Sequence, residues 1–242
     1  MAEAITDWFG SDYYHLLYSD RNEAEAKIFL DNLIQLVQPA NDSKIIDCGC
    51  GRGRHSVYLA EKGFDVTGID ISAANISFAK KNEMKNLSFA VHDLRKPFPC
   101  EPYDIALNMF TSFGYYEIQE ENSRVFKNIS SLLRKGGLLV FDFMNSKKEI
   151  KNLVPREKII RDGISFLVMR SIKGNFIMKE IHVEHQKKQF YFTERVHALS
   201  ETELQKYFTA NGMKIIHKFG NYELEPFADD ASPRLIFTAK KP

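Results

Sequence analysis

The chain has 242 residues, 44% of them apolar, with 33 basic and 32 acidic side chains. That length suits one large domain or a domain with an insertion, and the near-balance of charge gives no electrostatic footing for nucleic acid or an anionic membrane surface as a partner. No uninterrupted apolar stretch approaches the roughly 18 residues that span a bilayer, the segment Met1 to Asp7 lacks the layout of a signal peptide, and three cysteines cannot all pair, so a reducing, cytoplasmic setting is expected.

In chain order, apolar side chains at Ala24, Ala26, Ile28, Leu30, Leu33, Ile34 and Val37 recur at mostly helical spacing and predict a helix over 23–37, ended by Pro39. Strand one is expected over 44–48, a crossover helix over 53–62, strand two over 65–70, a helix over 72–82, strand three over 87–91 and strand four over 103–109. A helix over 117–133, closed by Lys135-Gly136-Gly137 as a C-cap, leads to strand five over 138–143. Alternating βα units imply a parallel sheet with helices on both faces. Over 157–199 the rhythm changes. Three strand-like runs, separated by Lys173-Gly174-Asn175 and Gln186-Lys187-Lys188, read as antiparallel strands with short turns. A helix over 201–211 follows, with Ser200 as N-cap and Glu203 completing a capping box. Strands near 213–219 and 233–240 finish the chain, the second antiparallel because no helical pattern links them.

The most informative stretch is 45–53. An apolar run ends in Asp47, and glycines follow at Gly49, Gly51 and Gly53. Asp70 closes a second apolar run about 20 residues on, the outline of a nucleotide-binding βαβ unit with a ribose-binding carboxylate. The dinucleotide fingerprint needs Gly or Ala at its third position; counted from Gly49 that position is Arg54, and counted from Gly51 it is Ser56. Charge points the same way. Asp47 at the mouth of the loop repels a diphosphate, whereas a ligand with a cationic end, such as S-adenosylmethionine with its ammonium and sulfonium, is attracted. Asp70 can accept two hydrogen bonds from ribose hydroxyls. Cys48 and Cys50 lack metal-ligand or redox spacing and read as small residues in a tight turn.

These motifs resemble those of the class I S-adenosylmethionine-dependent methyltransferases, in family order over roughly residues 44–143. The resemblance implies a Rossmann-like, doubly wound α/β fold: a mostly parallel seven-stranded sheet with an antiparallel β insertion after strand five. It divides the chain into an N-terminal helical cap (1–40), a cofactor-binding core (41–150), the insertion (151–199) and a C-terminal helix with the last two core strands (200–242). It implies cofactor contacts from Asp47, Gly49, Gly51, Gly53, Asp70, Ile71, Asp93, Leu94, Asn108 and Phe110, with Asp93 near the adenine amine. No proline follows Asn108, which argues against exocyclic base methylation. The insertion is similar to that of small-molecule members, among them sugar N-methyltransferases and glycine N-methyltransferase-like proteins, where it covers the substrate or mediates dimerisation. Either a lid over the substrate or a homodimer interface is therefore expected of it.

The run Asp12 to Tyr18 resembles the leading segment that closes over the cofactor in the sugar-methyltransferase group. Tyr14 and Tyr18, four apart, share a face if helical and are the catalytic candidates together with Phe113. Arg21 is a candidate to hold a carboxylate. Arg195 and His197, which share a strand face, and Tyr115 are candidates to recognise a small-molecule amine or hydroxyl acceptor. Two competing readings stay open: an NAD(P)-dependent oxidoreductase, and a non-catalytic S-adenosylmethionine-binding protein.

Overall fold

The computed structural model describes residues 7–19 and 23–242. Arg21 lies outside the described residues. After the short helix α1 (Asp12–Leu17) comes α2 (Glu23–Val37), whose Ala26, Phe29, Leu30 and Leu33 are buried. It stops where Gln38 turns to φ 48° ahead of Pro39, which has no N–H to continue the helix.

The core alternates β1 (Lys44–Cys48), α3 (Arg54–Glu61), β2 (Asp65–Asp70), α4 (Ala73–Ala79), β3 (Leu87–Val91), β4 (Tyr103–Asn108), α5 (Gln119–Ser131) and β5 (Leu133–Met144). The strand order is β10-β11-β5-β4-β1-β2-β3, with β10 (Lys214–Phe219) and β11 (Arg234–Lys240) added at one edge. β1 to β5 are mutually parallel; β11 runs antiparallel to β5 and to β10. This is the expected mostly parallel, doubly wound sheet. Its buried strands read as near-continuous apolar runs because helices cover both faces. One layer packs Phe113, Phe126, Phe141, Phe208 and Phe237 together; the other gathers Phe29, Leu30, Leu59, Val66 and Ile236.

Three details depart from the sequence reading. First, α5 ends at Ser131 and β5 starts at once at Leu133, so Lys135-Gly136-Gly137 is no helix cap. These residues form an irregularity inside β5: the β4 register slips between Tyr103↔Leu133 and Ile105↔Leu138, Gly136 takes φ 78°, and a Cβ on Gly137 would lie 2.9 Å from the Arg134 carbonyl. Second, a short helix α6 (Ser146–Lys151) follows β5, anchored where Asn145 Nδ2 donates to the Asp229 and Ser232 carbonyls. Third, the insertion has four strands: β6 (Arg156–Arg161), β7 (Ile164–Lys173), β8 (Phe176–His185) and β9 (Lys188–His197), in that spatial order and all antiparallel. β6 is a mostly exposed edge strand, so its charged residues carry little apolar alternation. The helix α7 (Glu201–Ala210) has the expected capping box, with both Ser200–Glu203 bonds formed. No helix among the described residues is long and apolar enough to cross a membrane.

The N-terminal segment lies on the inner face of the insertion. Trp8 and Leu17 are buried there against Phe166, Val168, Ile181 and Val183.

Close approach, rather than a turn, explains Gly68 in mid-β2. A Cβ there would come within 2.5 Å of the buried Phe89 ring and 3.0 Å of Cys50 Sγ. Gly68→Ala should destabilise the fold by about 2 kcal/mol, in the range of core overpacking, as read from urea unfolding; an unchanged midpoint would show that the ring can yield.

Candidate active site

The parallel strands reverse order between β1 and β4, and ligands of open α/β sheets bind at such a crevice beyond the carboxyl ends of the strands. A cavity of about 570 Å³ opens there. Its floor is the glycine turn after β1. Gly49 and Gly51 take φ 80° and 56°, left-handed values that cost other residues strain. A Cβ on Gly49 would lie 2.7 Å from that of Ser112, while one on Gly51 would meet nothing within 4 Å. Gly51 therefore leaves its backbone open to a ligand. Gly53 serves packing instead, since a Cβ there would strike Phe89 at 2.6 Å.

Asp70 lines the cavity at the end of β2. Gly51 N–H donates to its Oδ2 at 2.9 Å and Ser72 N–H to its Oδ1 at 2.7 Å. Both oxygens are thus fixed in place and keep lone pairs for further donors. Burial raises its carboxyl above the ordinary range, against the pull of those two backbone bonds. Ile71 and Leu94 add apolar wall, joined by His92.

Asp47 is placed differently from the expectation. It does not line the cavity but lies buried beneath the turn, where Ser56 Oγ donates to its Oδ2 at 2.7 Å. Burial pushes its carboxyl up to about 6, with Asp70 nearby adding to the rise. Asp93 is likewise off the cavity wall. Arg95 grips it with Nε and Nη2, at 3.1 and 2.7 Å, which helps hold its carboxyl low against the opposing effect of burial. Asn108 is fully buried, its Nδ2 donating to the Cys48 and Ser112 carbonyls, and its Oδ1 has no partner among the described residues.

The loop after β4 carries Phe110 and Thr111 at φ 54° and 62°, an unfavourable pair for side-chain-bearing residues. A buried carboxylate holds them. Asp142 on β5 accepts from Phe110 N–H at 2.7 Å, from Tyr222 Oη at 3.1 Å and from Arg234 Nε at 2.8 Å. Arg234 also donates to Thr111 Oγ1 at 3.0 Å. Phe110 is thereby presented to the cavity, stacked on His55 at 5.0 Å and under the Arg54 guanidinium. Burial drives His55 down to about 3, so its imidazole is neutral; its Nε2 has no partner among the described residues.

Over the cavity sit Phe9, Tyr14, His15 and Tyr18 from the N-terminal segment, with Tyr115 and Tyr116 beside them. His15 Nε2 donates to Asn75 Oδ1 at 3.0 Å, tying the cap to α4, and Arg52 pairs with Asp12. Tyr116 is clamped by Asn122, which donates to its carbonyl at 2.7 Å. Burial pushes its phenol up to about 12, with Asp93 adding to the rise. Phe113 is part of the wall, but its ring is 2% exposed and packed against Phe126, Phe141 and Tyr207. It shapes the floor rather than reacting. Arg195 and His197 do not line the cavity. Arg195 pairs with Glu117 at 3.2 Å, and His197 Nε2 donates to the Tyr116 carbonyl at 2.9 Å. Sequence reading missed His55, Arg54, Asn75 and Asn122. The first two follow the glycine turn directly and were within its reach; the others are brought in only by packing.

These residues suit S-adenosylmethionine. Asp70 is a pre-set acceptor for ribose hydroxyls and Gly51 is open to close approach, whereas Asn108, expected to touch the cofactor, is fully buried and does not line the cavity. The chain belongs to the methyltransferase-domain family, whose model matches residues 39–212, and is an S-adenosylmethionine-dependent methyltransferase. It is similar to YqeM of Bacillus subtilis (strain 168), 29% identical over 212 residues that cover 82% of this chain and 84% of that one. Glycine N-methyltransferase of Rattus norvegicus is 30% identical over 129 residues, covering 47% of this chain and 44% of that protein. Its fold matches that of an S-adenosylmethionine-dependent methyltransferase from Clostridium acetobutylicum ATCC 824 with a TM-score of 0.81, at 18% identity, over 95% of this chain and 96% of that one. Family membership sets aside the nicotinamide-dependent reading.

The raised carboxyl of Asp47 has a pH consequence. The folded state holds its proton to about pH 6, while the unfolded chain releases it near the ordinary 3.8. The folded state therefore binds more protons between these values, and stability falls as pH rises through that window. Two units correspond to about 3 kcal/mol. Asp47→Asn, which keeps an acceptor for Ser56, should lose this slope. The check is the difference in unfolding free energy between wild type and variant from pH 4 to 7; a flat difference would place the shift elsewhere.

Proposed function

We propose that the chain methylates a small molecule at an amine or hydroxyl. The observation that carries this reading is the shape of the site: a cavity of about 570 Å³, roofed by Phe9, Tyr14 and Tyr18 and walled by Tyr115 and Tyr116. That is the size of a small-ligand site, and the aromatic rings with a few polar groups among them are its usual lining. The near-neutral charge of the chain supports it against a polyanionic substrate. The similarity to glycine N-methyltransferase, whose name states a small amine acceptor, points the same way.

When bound, S-adenosylmethionine supplies a methyl group already activated on sulfur. What remains for the protein is proximity and alignment, which can lower a barrier by roughly 7–11 kcal/mol. Asp70 and the Gly51 backbone hold the ribose side, and Ile71 and Leu94 flank the adenine side. Tyr14 and Tyr18 line the roof and would help exclude water from the bound cofactor, with the Tyr18 hydroxyl held by Glu194 and Lys179. Tyr115 and Tyr116 form the acceptor wall. Asn122 and His197 act on that wall at one remove, by fixing the Tyr116 backbone.

Two measurements test this. S-adenosylhomocysteine at a hundred times its Kd should stabilise the fold by about 2.7 kcal/mol, a rise in Tm of about 5–10 °C for a chain of this size. NAD at the same concentration should leave Tm unchanged, and Asp70→Asn should weaken S-adenosylhomocysteine binding at least tenfold. A screen of small amines and alcohols with methyl-labelled S-adenosylmethionine should then yield a methylated product. Binding of S-adenosylhomocysteine with no turnover on any acceptor would favour a non-catalytic binding protein; no binding at all would end the cofactor assignment.

A further inference from the structure

Among the described residues that line the cavity, none comes from β6–β9. The insertion nonetheless holds the segment that roofs it. At the centre of that contact is Glu194, 8% exposed on the inner face of β9. Two donors from the cap converge on one of its oxygens: Trp8 Nε1 at 3.2 Å and Tyr18 Oη at 3.2 Å. Lys179, its direct cross-strand partner on β8, donates to the other oxygen at 3.0 Å and to Tyr18 Oη at 3.1 Å.

A carboxylate so deeply buried is tolerated only when paired and hydrogen-bonded. Here the required donors come from two different parts of the chain. α1 has six residues, too few to hold a helix by itself, so tertiary contacts decide where it lies. The apolar contact of Trp8 and Leu17 with the sheet is adhesive but non-directional. Hydrogen bonds are directional, and those to Glu194 fix the rotation of the cap. The rings then pass that position on: Trp8 meets Tyr14 edge-on at 5.5 Å and Tyr18 at 6.5 Å, and Tyr14 meets Tyr18 at 5.0 Å. Both tyrosines line the cavity.

We propose that Glu194, supported by Lys179, is a positioning residue for the methyl-transfer site: it sets the pose of Tyr18, and through Trp8 that of Tyr14, without touching either ligand. The insertion thus serves the site through the cap.

Trp8 is the one tryptophan of the chain, so its fluorescence reports the contact. The experiment pairs emission and acrylamide quenching with calorimetric titration of S-adenosylhomocysteine. Glu194→Ala should raise the Kd about tenfold, shift Trp8 emission to the red and open it to quencher. Glu194→Gln, whose carboxamide oxygen still accepts from Trp8 and Tyr18, should stay within about threefold of wild type on binding and keep the emission. Tyr18→Phe combined with Glu194→Ala should bind no more weakly than Glu194→Ala by itself. If Glu194→Ala does not fold, Lys179→Met carries the test: it should weaken binding, and Lys179→Met with Glu194→Gln should restore it. The proposal is overturned if Glu194→Ala, or in its place Lys179→Met, binds as wild type with unchanged emission, if the Gln variant loses as much as the Ala variant, or if the effects of Tyr18→Phe and Glu194→Ala simply add. Absence of binding by the wild type would instead refute the cofactor assignment, leaving the emission comparison as a separate reading of the contact.

Discussion

The reversal of strand order between β1 and β4 is the constraint from which the rest of the site follows. On one side the chain steps from β1 through β2 to β3; on the other it steps from β4 to β5. The loops after β1 and β4 therefore leave the sheet in diverging directions and open a crevice that neither must fill. Everything at the site is an edge feature of that crevice: the glycine turn after β1, the Asp70 carboxylate after β2, and the Phe110–Ser112 loop after β4.

Holding the crevice open has costs, and the molecule offsets them with buried polar groups. Two consecutive residues in left-handed conformations are kept in place by Asp142, whose charge is balanced by Arg234 on the neighbouring strand β11. The antiparallel edge of the sheet thus does more than complete it, since it delivers the cation that neutralises the loop anchor. Glu194 has a similar part on the other side of the cavity, with Lys179 as its counter-charge. In both cases a buried carboxylate collects donors from segments far apart in sequence. Such a pair is weak evidence for stability, but removing one partner leaves a buried charge unmatched.

The electrostatic character of the floor is subtler than the motif implies. Burial raises the carboxyls of both Asp47 and Asp70, and of the two only Asp70 lines the cavity. Asp47 lies beneath the turn, and the polar groups on the cavity wall around it include backbone, Asp70, a neutral His55 and the guanidinium-bearing Arg52 and Arg54.

Much was legible in the residues themselves. Strand one, strand two and strand three fall where the apolar runs and glycines put them, and the capping box of α7 is local chemistry between Ser200 and Glu203. Asp70 and Gly51 are found at the site because a strand end and the turn beside it are adjacent by construction. β6 was hidden because an edge strand with charged residues lacks the alternation that marks half-burial, and Lys135–Gly137 misled because a glycine pair serves a strand irregularity as well as a helix cap. Arg195 and His197 share a face as alternation requires, yet neither lines the cavity; the His197 ring reaches the backbone of Tyr116 on its wall. The sequence by itself determined the class of fold and the glycine turn with Asp70 beside it, since both depend on short-range patterns of apolar period, backbone permissiveness and strand-end position. Only the tertiary structure decided which side chains line the cavity: Tyr18 and Asn122 come to it from distant parts of the chain, and Glu194 reaches Tyr18 without lining it, through packing that no local pattern encodes.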